Sequence, residues 1–146
     1  MLANFSWVRP GQVAGMAFPY GAPWGALREE GVGAVLTLTE HPLESDPTDA
    51  GFTALHVPLI DFGTPALEEL ERCVAWIDEQ VEAGRPVAVH CMAGIGRTGT
   101  VIAAWLTRQG IDADEAITLL RATRPGSVET AGQVEAIRRF AAKEDA

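Results

Sequence analysis

The sequence predicts an α/β fold. Short apolar runs that read as strands alternate with longer amphipathic stretches that read as helices, and residues 86–110 run as a strand, a glycine-bearing loop and a helix in immediate succession. Strands are expected around Trp7-Val8 and Val13-Ala14, from Ala34 to Thr39, from Thr53 to Leu59 and from Val87 to His90, with a helix after Pro23 between the second and third. A longer helix follows Thr64-Pro65, which read as its N-cap and first helical residue. In it Leu67, Leu70, Val74, Ile77 and Val81 recur at spacings of three and four, one buried stripe, while Glu68, Glu69, Glu71, Glu79 and Glu82 face water as a solvated face rather than a metal site. Thr100 to Gln109 has helical composition closed by Gly110, Asp112 with Glu115 resembles a capping box opening a helix through Ala122, and a final helix carries Gln133 in its first turn. Pro42 to Gly51 reads as an acidic surface loop near the sheet end. No repeat or linker divides the 146 residues, so residues 1–146 are expected to fold as one domain around one core.

The chemistry concentrates at His90-Cys91-Met92-Ala93-Gly94-Ile95-Gly96-Arg97-Thr98-Gly99-Thr100. A loop of small residues running into a helix N-terminus can turn successive backbone N–H groups onto one anion, and the helix dipole favours negative charge at the same point. Met92, Ala93, Gly94, Ile95 and Gly96 would supply the N–H groups, and Arg97 a planar fork that fits two phosphate oxygens. The same field favours the thiolate of Cys91, the nucleophilic form. A buried structural cysteine beside an ordinary turn is the bland alternative.

His-Cys-x-x-Gly-x-x-Arg-Thr-Gly resembles the signature of the cysteine-dependent protein phosphatases, and the size of the chain resembles their small atypical dual-specificity branch. Asn4 to Val8, Leu36 to Glu40, Asp61-Phe62 and Arg124 to Thr130 continue the resemblance in order along essentially the whole chain. The resemblance implies a single-domain protein-tyrosine-phosphatase-like fold, a central mixed sheet flanked by helices. It also implies hydrolysis of phosphate monoesters, on phosphotyrosine, phosphoserine or phosphothreonine of proteins, through a phosphocysteine.

Departure of an alkoxide or phenoxide requires a proton. Asp61, in the loop after the fourth strand, resembles the family's general acid and is not needed as a cap, with Asp46 and Asp49 of the acidic loop next in line. Thr98 sits one residue past Arg97, where its hydroxyl can point back to the sulfur. Glu40 resembles an acid that holds the signature arginine, and Gln133 resembles a water-positioning glutamine; a surface Glu and a helix-start Gln are the alternatives. His90 is expected to orient the loop through buried hydrogen bonds rather than carry protons.

A formal net charge of −9 argues against nucleic-acid binding. Apolar runs fall short of the ~18 residues of a membrane span and the N-terminus lacks a signal-peptide pattern, so a cytoplasmic protein is expected. Two cysteines fit a reducing compartment, Cys73 reading as a packed residue with a redox partnership to Cys91 as the alternative. No cofactor or metal is expected, a monomer is the simplest state, and the partner is a phosphorylated protein or a small phosphomonoester. The other function classes are a non-catalytic phosphate-binding module, a phosphatase of a small metabolite, and a rhodanese-like sulfur carrier.

Overall fold

Four-residue strands interspersed with helices, the last three helices in succession, build the molecule, which a computed structural model describes over residues 2–145. In chain order these are β1 (Ser6–Arg9), β2 (Val13–Met16), α1 (Trp24–Glu29), β3 (Ala34–Thr37), a 3₁₀ turn (Pro47–Ala50), β4 (Thr53–His56), α2 (Leu67–Glu82), β5 (Val87–His90), α3 (Gly96–Arg108), α4 (Ala113–Thr123) and α5 (Ala131–Asp145). The sheet is mixed, in the order β1-β2-β5-β3-β4. Only β1 runs antiparallel, to β2; the other four strands are parallel.

Strand alternation divides the core in two. Val35 and Ala88 face Met16, Trp24, Leu27 and Phe52 on the α1 side. Ala34, Leu36, Val87 and Val89 face the cluster formed with α2, α3, α4 and α5. At the centre of that cluster α3 is buried on every side from Gly96 to Leu106, which is why Val101 to Leu106 is an unbroken apolar run.

Register places the site. Met16, His90, Thr37 and His56 are paired across β2, β5, β3 and β4, so the four parallel strands end in line and their loops leave from one edge of the sheet. In an open α/β sheet this carboxyl edge is where ligands bind.

Several boundaries differ from the sequence reading. β3 stops at Thr37 and β4 at His56, beyond which only isolated bonds such as Leu59 N–H to the Leu38 carbonyl (3.0 Å) continue the pairing. The N-cap of α2 is Ala66 rather than Thr64; alanine has no acceptor, and the Glu69 carboxylate instead accepts from the Ala66 N–H at 2.8 Å, half of a capping box. Asp112 does cap α4 by position, but its side chain makes no capping bond. α3 begins at Gly96, well before Thr100, which brings Arg97 and Thr98 into its first turn. It ends as expected at Gly110, whose φ of 94° suits only a residue without a Cβ.

Candidate active site

Between β5 and α3 the loop Cys91–Ile95 turns back on itself, and three successive carbonyls of it are held from outside. The Met92 carbonyl accepts from the Phe18 N–H (2.8 Å), that of Ala93 from Asn4 Nδ2 (3.0 Å), and that of Gly94 from Arg124 Nη2 (2.6 Å). Across a planar trans peptide the N–H points opposite to the C=O, so the N–H groups of Ala93, Gly94 and Ile95 turn to the inside of the loop. Gly94 is required: its φ is 78°, and a Cβ there would collide with the Met16 carbonyl. The result is a cradle of N–H donors at the N-terminus of a 13-residue helix, an anion site by construction.

Cys91 lies buried at the base of this cradle, and Thr98 Oγ1 donates to its Sγ at 3.0 Å, the contact expected from the one-residue offset between Arg97 and Thr98. Arg97 is 2% exposed. Its Nη1 donates to Glu40 Oε1 at 2.7 Å and to the Leu59 carbonyl at 3.2 Å, which fixes one edge of the guanidinium. Its Nε is buried without a hydrogen bond and lies 3.6 Å from Asp61 Oδ1. Glu40 is thus paired with the buried Arg97. Its own backbone N–H, and then Arg97, keep the Glu40 carboxyl below the usual carboxylate range. Asp61 is half-exposed in a turn closed by the Gly63 N–H on the Ile60 carbonyl (2.9 Å), with Phe62 after it at a φ of 59°, a costly conformation.

His90 is fully buried. Its Nδ1 must donate to the Cys91 carbonyl (3.2 Å), so in the neutral ring Nε2 accepts from Thr37 Oγ1 (2.8 Å). Burial pushes its pKa down to about 4, which favours the neutral ring. Gln133 caps the start of α5: Oε1 accepts from the N–H groups of Glu129 (2.7 Å) and Thr130 (3.1 Å), and Thr130 Oγ1 accepts from the Gln133 N–H (3.0 Å). The other end of the amide, Nε2, is buried without a partner, 3.3 Å from where a Cβ on Gly96 would sit. Asp46 caps the 3₁₀ turn through Thr48, and Asp49 lies within that turn. Cys73 is buried in α2, where burial pushes its thiol up to about 12, and both cysteines are free.

The sequence reading missed Arg124. It is buried after α4, and besides Gly94 its Nη1 donates to the carbonyls of Asn4 (2.8 Å) and Gly15 (3.0 Å) and to Ser6 Oγ (2.7 Å). One side chain thus ties the cradle to β1 and β2. Burial lowers its pKa, and a charge on Cys91 opposes that fall. The available signal was an arginine followed by Pro125-Gly126 just past a helix, a place where a solvated side chain is equally at home.

Among the described residues no helix is long and apolar enough to cross a membrane. The family described as "Tc-R-P: Polymorphic toxin system, DSP-PTPase phosphatase" matches residues 12–111. The tyrosine-protein phosphatase cdc-14 of Caenorhabditis elegans is 34% identical over 141 residues, covering 86% of this chain and 20% of its own length. Dual specificity protein phosphatase 12 of Mus musculus is 39% identical over 123 residues, covering 81% of this chain and 35% of its own. The chain therefore spans only 20% and 35% of the lengths of these curated relatives. The crystal structure of Tk-PTP in the active form superimposes with a TM-score of 0.90 at 33% identity, over 98% of this chain and 99% of that one.

Proposed function

Because the chain belongs to the dual-specificity and protein-tyrosine phosphatase family of cysteine-dependent protein phosphatases, we propose that it hydrolyses phosphate monoesters on proteins through a phosphocysteine at Cys91. The observation that carries this reading is the division of the Arg97 guanidinium: Glu40 and the Leu59 carbonyl hold one edge, and the Nε edge is left toward Asp61 and the cradle. Phosphate oxygens on that edge and on the N–H groups of Met92 to Gly96 set the phosphorus in line with Cys91 Sγ.

The sulfur then forms an S–P bond as the ester P–O bond breaks, and Asp61 gives its proton to the departing oxygen. In the second half Asp61 takes a proton from water as the water oxygen bonds to phosphorus. The S–P electron pair returns to sulfur, where the Thr98 hydroxyl at 3.0 Å stabilises it, and inorganic phosphate leaves. Gln133 Nε2 is the donor that would orient that water, and His90 keeps the loop in register. Residues 1–146 act in this reading as one catalytic domain, monomeric and cytoplasmic, without cofactor or metal. A small phosphomonoester is the alternative substrate to a phosphoprotein.

Cys91→Ser tests it. Turnover of an aryl phosphate should disappear while phosphate-ester binding, which belongs to the N–H groups and Arg97, stays within a few-fold by calorimetry. Retained turnover would remove the sulfur from the reaction.

A further inference from the structure

Four large hydrophobic side chains stand exposed among the described residues, and all four lie on the loops at the carboxyl edge of the sheet: Tyr20 (71% exposed), Ile60 (74%), Phe62 (61%) and Met92 (45%). Apolar exposure gathered around one site marks a surface that meets a partner. A cleft of about 800 Å³ opens beside the cradle, between the loop after β2 and the loop after β3, with Met92 and Glu40 at the end nearest the phosphate site. Phe18, Tyr20 and Trp24 form one wall and His41 to Ser45 the other, and the Trp24 indole N–H donates to Ser45 Oγ at 3.1 Å, tying the walls together.

Charge on these loops is one-sided. Segments 17–23, 38–46, 57–66, 91–95 and 125–130 carry Glu40, Glu44, Asp46, Asp61 and Glu129 and not one Lys or Arg. The cations of the site, Arg97 and Arg124, are buried and engaged with the cradle and its supports. Any second phosphate or acidic side chain next to the scissile group would therefore meet carboxylates with nothing to pair it.

Resting on the phosphatase reading, we propose that the cleft selects phosphopeptides with an arginine beside the phosphorylated residue, the guanidinium stacking on Tyr20 and pairing with Glu44, and rejects acidic flanks. Phe18 and Tyr20 are already packed together, with ring centroids 4.6 Å apart, so the aromatic face is set before the ligand arrives. A guanidinium is the group that suits both halves of such a cleft, because it stacks on rings and is weakly hydrated. Glu40 does not compete for it, since its carboxylate is occupied by Arg97.

The test compares kcat/KM for phenyl phosphate and for three phosphotyrosyl peptides identical but for Arg, Ala or Glu next to the phosphotyrosine. The Arg peptide should exceed the Glu peptide by about tenfold at low ionic strength, the advantage shrinking with added salt, as exposed charge and ring contacts of this kind allow. Glu44→Arg should reverse the order, and Tyr20→Ala should narrow it. Equal rates for the three peptides, a preference for Glu, or turnover of phenyl phosphate with no peptide cleaved would overturn the flank assignment and leave the phosphatase reading standing. No turnover of any substrate would overturn both.

Discussion

Asp61 is the residue whose role geometry narrows most. It faces the unpaired edge of Arg97 at 3.6 Å, which is longer than a hydrogen bond, so the carboxylate is near the phosphate-binding edge without being tied to it. A proton donor in that position matters only as much as the leaving group needs a proton. Asp61→Asn should reduce kcat by roughly 10² to 10⁴ on phenyl or alkyl phosphates and by much less on an aryl phosphate with a strongly acidic phenol. Equal losses on good and poor leaving groups would assign Asp61 a structural role.

At the scale of elements, the cradle depends on parts far away in sequence. Arg121 donates to the carbonyls of Ser127 (2.8 Å) and Val128 (2.7 Å), holding the segment between α4 and α5 against α3, where Gly99 leaves no room for a Cβ beside Ser127. Arg124 leaves the same segment to hold Gly94 from behind. Arg124→Met keeps much of the volume and removes the donors and the charge. The Gly94 carbonyl is then free to rotate and the sulfur loses a nearby cation, so kcat/KM should fall about 10²-fold, the scale of a small misplacement of reacting groups. Alkylation of Cys91 by iodoacetate at neutral pH should slow in parallel. A variant with reduced thermal stability but unchanged alkylation rate would make Arg124 a fold residue only.

For the molecule as a whole, the buried His90 links stability to pH. Burial brings its pKa from 6.5 in the unfolded chain to about 4 in the native one, so the unfolded state binds the proton first as pH falls. The neutral ring's contribution is complete above pH 6.5 and is lost as pH drops toward 4, a decrease on the order of 3 kcal/mol from this group. Urea unfolding of the wild type between these values should show that fall, and His90→Asn should show a shallower one. Identical slopes for the two proteins would mean that the imidazole is solvated in the native state.

Patterning by itself determined the α/β class and the strand–loop–helix unit around Cys91, because apolar periodicity and glycine punctuation act over a few residues. The stripe Leu70, Val74, Ile77 of α2 is buried as its spacing requires. Local patterning placed Thr98 against the sulfur, because both belong to one loop and the following turn. Resemblance, not pattern, singled out Glu40, Asp61 and Gln133; the first two meet Arg97, 57 and 36 positions along the chain, while Gln133 Nε2 is buried without a hydrogen-bond partner. Helix starts were legible only in part: alanine at the cap of α2 became possible because Glu69 reaches back, a side-chain choice that composition does not reveal. The aligned ends of β2, β5, β3 and β4 gathered the loops, and the fold alone decided that Asn4, Phe18 and Arg124 hold three consecutive carbonyls of the cradle. Such contacts join residues up to 89 positions apart, and what brings them together is the burial of α3 at the centre of the core, a property of the whole chain rather than of any window of it.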